Sequence, residues 1–558
     1  MGFFTWEDTV MGLSALAMQA ATLLAEQNLP AALQAAQRCL QAEPGNAPMW
    51  NLLGVCAARL GQGDLALQCW QQALRLDAAA ADVHYNLGCL HDERGEAALA
   101  EQYFLAELAA DPQHQDSLYR LALRYQQDGR VAQEEACWRR LLRVQPDHVV
   151  ALHDLLLLCQ RQRRWRVAAR LLQRALRLPQ LTSAEAAALA AACLQQGMAS
   201  AAMRLLQHNV PLEQADASQA AIWALACSEL RQAGRAEAAW RQAVASQPQQ
   251  PRHVQNLGYL LLVQRRWHEG WQAHEARLLR PPVELGLPSL ASPRWQGEPL
   301  AGKHLLVWLE QGLGDALQFC RYLPQLQAER LTVVCRPELI RLLHSMALGC
   351  PALFLSLTSL DMALPAHDCH VFSMSLPGLL QPDPAATPPA GFTLPPSPRL
   401  PARQRKLRLG LVWRGHARHP FDHHRSLPAL RLLTPLLQLP HIEWLSLQLP
   451  VNATEQTWLG QWPQLLAGED GLADLADTAG VLAQLDGLVT VDTALAHLAG
   501  CLGLPCWLLL SASHTDWRWG WEGESTPWYP ALRLYRQQQA GDWPGLLARL
   551  AADLAALA

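Results

Sequence analysis

The stretch Glu310-Gln311-Gly312-Leu313-Gly314-Asp315 follows the apolar run Leu305-Leu306-Val307-Trp308-Leu309. A strand that empties through glycines into a helix is a common cradle for phosphate, yet the residue at this helix mouth is acidic. Leu317 stands where a dinucleotide fingerprint has its third glycine, which disfavours NAD. The positive end of a helix favours the charge of Asp315, and Gly312 and Gly314, beside Gln311, let a ligand approach the backbone. A carboxylate there suits taking a proton from a hydroxyl. An ordinary helix cap is the equal alternative.

Three further turns carry unusual residues. "WRGHARHPFDHHRSLP" (413–428) concentrates Arg414, His416, Arg418, His419, His423, His424 and Arg425, with Ser426 placed to cap the next helix. Arginines offer a fork of donors to an anionic leaving group; a solvated basic loop is the plain alternative. The histidines lack an acid at a helical zinc spacing, so no metal is expected. "VTVDTALAHLAGCLGLP" (489–505) brings Asp492 and Thr493 to a helix start. There the N–H groups of Ala494 and Leu495 can hold an anion, and Asp492 can accept from sugar hydroxyls. His497 lies about one turn further on, facing the same pocket or buried as a satisfied core histidine. "HTDWRWGWEGESTPWYP" (514–530) holds four Trp and a Tyr, able to line a pocket for a base or sugar or to pack a hinge.

These turns need strands before them and helices after them. "HLLVWL", "LTVVC", "LRLGLVW", "IEWLSLQ", "LDGLVTV" and "PCWLLL" are short apolar runs, separated by helical stretches such as "DALQFCRYLPQLQ" and "PELIRLLHSMAL". That alternation predicts parallel, helix-covered sheets in two Rossmann-like halves, 297–380 and 405–540. A proline-rich linker at 381–404 separates them, and a closing helix follows at 541–558. Ligands of open α/β sheets sit beyond the carboxyl ends of the strands, where all four turns fall.

The preceding region, 1–280, repeats every 34 residues over eight units starting at Leu13, Ala47, Ala81, Gln115, Val149, Ser183, Ala217 and Pro251. Position eight is small in all but one unit, as in Gly54, Gly88 and Gly258. Position twenty is mostly alanine, and position twenty-four is mostly large, as in Trp70, Phe104 and Trp240. Small residues let paired helices approach, and the bulky one fills the gap to the next hairpin. This is the tetratricopeptide pattern. It predicts an α-solenoid whose concave face takes extended peptides or partner proteins, or that serves as a spacer or dimerisation element. The eighth unit has His274 and Arg277 where apolar residues belong, and 281–296 reads as a linker.

Half of the 558 residues are hydrophobic, and the net charge is −4. This gives no electrostatic basis for nucleic acid or an anionic membrane as partner. No run suffices to span a bilayer, and residues 1–18 lack the basic start of a signal peptide. Fourteen cysteines without a C-x-x-C pair read as reduced thiols in a cytoplasmic protein.

The segments "LEQGLGDALQFCRYLP", "DCHVFSMSLPGLL", "DTALAHLAGCLGLPCWLLL" and "DWRWGWEGESTPWYP", with the junction "EGWQAHEARL", resemble bacterial tetratricopeptide proteins carrying a heptosyltransferase-type glycosyltransferase domain. The resemblance implies a two-domain GT-B fold with its halves facing a cleft, a nucleotide-sugar co-substrate, and no metal or other cofactor. It implies that Asp315 is the general base and that Asp492, Thr493, Ala494 and His497 bind the donor. Arg425 and Ser426 take the phosphates. A lysine often does so in that family; none occurs in 413–428, and Arg414 or Arg425 stands in for it. The expected reaction is metal-independent, inverting transfer to a hydroxyl of a protein held by the repeats. Similar plans occur in O-GlcNAc transferases and flagellin-modifying enzymes. A lipopolysaccharide acceptor or a non-catalytic repeat scaffold are the alternatives.

Overall fold

The computed structural model describes residues 15–178, 180–380, 383–394, 400–462, 465–468 and 472–557. The expectation about the N-terminal start, residues 1–14, lies outside them, as do parts of the proline-rich 381–404 stretch.

Among the described residues, sixteen helices from Ala15–Ala25 to Trp267–His274 follow one another in eight consecutive pairs. The period is written into the backbone as well as the side chains. Position fifteen of every unit is left-handed: Gln27, Gly61, Gly95, Gly129, Arg163, Gly197, Arg231 and Arg265. Within a hairpin the small position eight receives the bulky position twenty-four. A Cβ on Gly54 would stand 2.5 Å from the Trp70 ring, and one on Gly88 2.6 Å from Phe104. The large residue thus packs first into its own hairpin.

The chain divides into two compact units, residues up to 192 and residues from 193 onward. The later hairpins therefore belong with the sheets, although the helical repeat itself runs on to His274.

In the second unit the front half is a four-stranded parallel sheet of β1 (His304–Trp308), β2 (Arg330–Cys335), β3 (Ala352–Ser356) and β4 (Cys369–Phe372), ordered β3-β2-β1-β4. The rear half holds β5 (Leu407–Val412), β6 (Ile442–Ser446), β7 (Leu465–Ala467), β8 (Gly487–Val491), β9 (Cys506–Leu510) and β10 (Leu532–Arg536), ordered β10-β9-β8-β5-β6-β7. These strands pair in parallel, β1 with β4 in register Leu305 to Cys369 and β5 with β8 in register Leu409 to Gly487. Strand order reverses between β1 and β4 in front and between β5 and β8 behind. Those are the switch points at which such sheets open a crevice.

The two halves, expected to face a cleft, are also in direct contact. One apolar core runs through both, joining Leu305 and Val307 of the front sheet to Leu488 and Leu508 of the rear. Helix α1 (Leu313–Cys320) lies beside helix α2 (Ala494–Leu502), and the Leu317 carbonyl accepts from the Cys501 thiol at 3.2 Å. Because Gly314 meets His497 as Leu317 meets Cys501, the two helices run in the same direction. Their positive ends converge.

The stretch 281–296, expected as a linker, is pinned: it carries a helical turn at Pro282–Leu285, and Trp295 donates to the His370 carbonyl at 2.8 Å. The polar residues of the eighth repeat also find their reason. Arg277, fully buried, donates to Glu310 at 2.9 Å, to Ser375 at 2.8 Å and to Glu275 at 2.6 Å. It ties the end of the repeats to the ends of β1 and β4. A buried charge left without its partner costs about 3–5 kcal/mol, so Arg277 and Glu310 belong to the junction together.

Candidate active site

The turn after β1 is tightly specified. Gln311 has φ +67°, a left-handed conformation uncommon for a residue with a side chain. Gly312 is the N-cap of α1, and Asp315 sits at its third position, accepting from the Gly312 N–H at 3.0 Å through Oδ2. The capping role expected as one alternative is therefore real, although Asp315 is not itself the N-cap. Its other oxygen, Oδ1, accepts from Arg518 of the rear half. The carboxylate remains about a quarter exposed.

At the rear switch point, Thr493 is the N-cap of α2 but makes no capping bond; its hydroxyl pairs with that of Thr490 at 3.0 Å. The first N–H groups of α2, at Ala494 and Leu495, have no intrahelical acceptor. Asp492 is partly buried beside them. Burial pushes its carboxyl up to about 6, with Asp516 adding to the rise and Arg425 and Arg518 opposing it. His497 lies between the helices. Its Nδ1 is 3.0 Å from the Tyr529 hydroxyl, and its ring sits 2.8 Å from where a Gly314 Cβ would stand. Burial lowers it to about 3, so it is neutral at physiological pH. Of its two expected roles the structure favours the core histidine, which spaces the two helix starts.

The loop 413–428 divides between site and scaffold. Arg425 is half-buried, held loosely by Asp422 at 3.4 Å, and acts electrostatically on Asp492 and His419. A Cβ on Gly415 would clash with its guanidinium at 2.8 Å, so the glycine gives it passage. Two expected phosphate ligands are engaged elsewhere. Arg414 forms a fork on Glu455, at 3.1 and 2.8 Å, and donates to the Pro450 carbonyl at 2.7 Å. Ser426 accepts from the Gly415 N–H and donates to Asp422, both at 2.9 Å, which locks the loop instead of capping the next helix.

The aromatic segment packs against the last repeat and the first helix of the front half. Trp519, Trp528 and Tyr529 are buried, and Trp271 meets Trp517, Trp528 and Phe319 edge-on at 5.7, 6.2 and 6.1 Å. Such pairs contribute roughly 0.5–1.5 kcal/mol each beyond their burial. Arg518, in the middle of this run, is the residue that motif reading missed. Its guanidinium donates to Asp516 at 3.0 and 3.1 Å, to Gln318 and to Asp315, and lies 4.5 Å from the Trp517 ring. A cation placed inside an aromatic run, as in Asp516-Trp517-Arg518-Trp519, is the signal that could have found it.

The turns thus bring together Gln311, Gly312, Gly314 and Asp315 from the front with Arg425, Asp492, Thr493, Ala494, His497, Asp516 and Arg518 from the rear. The rear side is less purely cationic than expected, since Asp492 and Asp516 share it. Among the described residues, one cluster has metal-like geometry, Asp82, Glu107 and His114 of the repeats. There His114 Nδ1 accepts from the Ser117 N–H, which leaves the proton on Nε2, toward Asp82 at 3.2 Å. That ring nitrogen is committed to a hydrogen bond.

Residues 17–68 match the model described as tetratricopeptide repeat and residues 58–94 the model described as TPR repeat. The chain carries tetratricopeptide repeats. It is 28% identical over 347 residues to Protein FlbA of Caulobacter vibrioides, the match covering 53% of each; the chain thus spans about half the length of that curated relative. Among solved structures it is similar to a tetratricopeptide repeat protein from Parabacteroides merdae, at 19% identity and TM-score 0.30, covering 42% of this chain and 92% of that one. The C-terminal part of a TPR repeat-containing protein from Cytophaga hutchinsonii matches at 16% identity and TM-score 0.35, over 43% of this chain and 98% of that one. No described helix is long and apolar enough to cross a membrane.

Proposed function

We propose that the second unit is a glycosyltransferase of the GT-B type, moving a sugar from a nucleotide-sugar donor to a hydroxyl of a protein. The observation that carries this reading is the meeting of two unlike helix starts. The front one presents a carboxylate, Asp315, and the rear one is uncapped and flanked by Arg425 and Asp492. A diphosphate fits the open N–H groups of α2 with Arg425 beside it. Asp492 accepts from a donor hydroxyl. Asp315 takes the acceptor proton as the oxygen attacks the anomeric carbon, and the bond to the departing phosphate breaks with inversion. No step calls for a metal, because the leaving charge falls on preorganised donors.

The repeats then have the task of holding a protein acceptor in the cytoplasm, with flagellin-like proteins as first candidates. Intact-mass analysis of cellular proteins, with and without this gene, tests the reading. One protein should gain whole sugar masses only when the gene is present; identical spectra would sink the proposal. A scaffold role is the second reading. It is favoured by the fact that both oxygens of Asp315 already hold internal hydrogen bonds.

A further inference from the structure

We infer that Arg518 is the positioning residue for transfer, fixing the Asp315 carboxylate of the front half against the donor crevice of the rear half. The inference rests on the transferase reading above.

The requirement comes from the reaction. An in-line displacement needs the base, the acceptor oxygen and the anomeric carbon aligned, and a misplacement of about 1 Å can cost on the order of a hundredfold. Here the base and the donor would be carried by different sheets. A link between them must be short, stiff and attached to the base itself.

Arg518 has each of these properties. It enters from the rear half, two residues after Asp516, and reaches Oδ1 of Asp315. Its own position is fixed on three sides. Both oxygens of Asp516 accept from one terminal nitrogen, and Gln318 of α1 accepts from Nε. Trp517 and Phe319 approach the guanidinium at 4.5 and 5.7 Å. It is 6% exposed, so solvent competes little for its donors. With the Gly312 N–H on Oδ2, the carboxylate is held at both oxygens, and each oxygen keeps a lone-pair direction for the acceptor proton. Asp516 supplies a second negative charge to the same guanidinium, so Asp315 need not neutralise it alone.

Arg518 touches neither reacting atom in this scheme; it acts through Asp315. Turnover should therefore fall without loss of donor binding. In the full chain, Arg518→Gln should lower kcat for sugar transfer by about ten- to a hundredfold while donor Kd stays within about threefold. In an Asp315→Asn background the same change should have almost no further effect, because the group it positions is gone. Arg518→Lys keeps the charge and should recover part of kcat; it also serves if Arg518→Gln does not fold. Equal losses in the wild-type and Asp315→Asn backgrounds would overturn the inference, as would donor affinity falling in step with kcat. If the wild-type chain transfers no sugar, the transferase reading fails first and this inference with it. Transfer that is indifferent to Arg518 overturns the inference alone.

Discussion

The two helices that meet at the candidate site begin in opposite ways. The front helix, α1, starts at Gly312 and folds its own carboxylate, Asp315, back onto the N-cap N–H. The rear helix, α2, starts at Thr493, whose hydroxyl turns away to Thr490. Both lie at switch points and both direct a positive end into the same space. One start carries its own carboxylate, bound to the N-cap N–H, and the other carries none. In the proposed reaction the front start would carry the base and the rear start the phosphate.

The comparison can be broken by making the rear start like the front. Thr493→Asp places a capping carboxylate where the donor phosphates would lie. It should weaken nucleoside diphosphate binding by about a hundredfold, from repulsion at close range, while the better cap adds up to about 1 kcal/mol of stability. Calorimetric titration and thermal unfolding read the two effects. Unchanged nucleotide affinity would remove the phosphate site from this helix.

A second change tests the charge at the rear start. Burial, reinforced by Asp516, raises Asp492 to about 6, against about 3.9 in an unfolded chain. An acid held more tightly protonated in the folded state carries no penalty below about pH 4. The penalty grows as pH rises toward about 6 and stays constant above it. Asp492→Asn should therefore raise stability near pH 7.5 by up to about 2–3 kcal/mol, with little gain near pH 4. A gain equal at both pH values would mean that packing, not charge, governs the site.

The smallest expected effect concerns the spacing of the two starts. Gly314→Ala sets a methyl 2.8 Å from the His497 ring. Overpacking outweighs the better helix propensity of alanine, leaving a net loss of about 1 kcal/mol. A stabilised variant would show that His497 moves freely and spaces nothing.

The repeats were legible because their period is local: small and bulky residues recur 34 apart, and the left-handed position fifteen follows the same beat. The six expected apolar strands were legible for a similar reason. Strands β3, β4, β7 and β10 were not, since β3 is a half-exposed edge, β4 is four residues that include Cys369 and His370, β7 spans three residues and β10 alternates Leu with Arg. The helix expected over 337–348 breaks after a 3-10 turn at Pro337–Leu339 and ends at His344.

Within the site, Asp315 and Asp492 could be read from motif and turn. Arg518 was visible only as a cation inside an aromatic run; what it binds was not, because its partners Asp315 and Gln318 lie 200 or more residues away. The same long-range pairing explains why Arg414 looked like a phosphate ligand: nothing local announces Glu455. The shared core of the two halves is likewise a tertiary outcome that alternating strands and helices do not encode.

The most direct test uses the purified full chain and a panel of nucleotide sugars, with transfer of labelled sugar into protein as the readout. With one donor the wild type should label protein. Asp315→Asn should bind that donor as tightly yet transfer at least about a hundredfold more slowly. No transfer from any donor, or equal rates for the two chains, would contradict the assignment of Asp315 as the base.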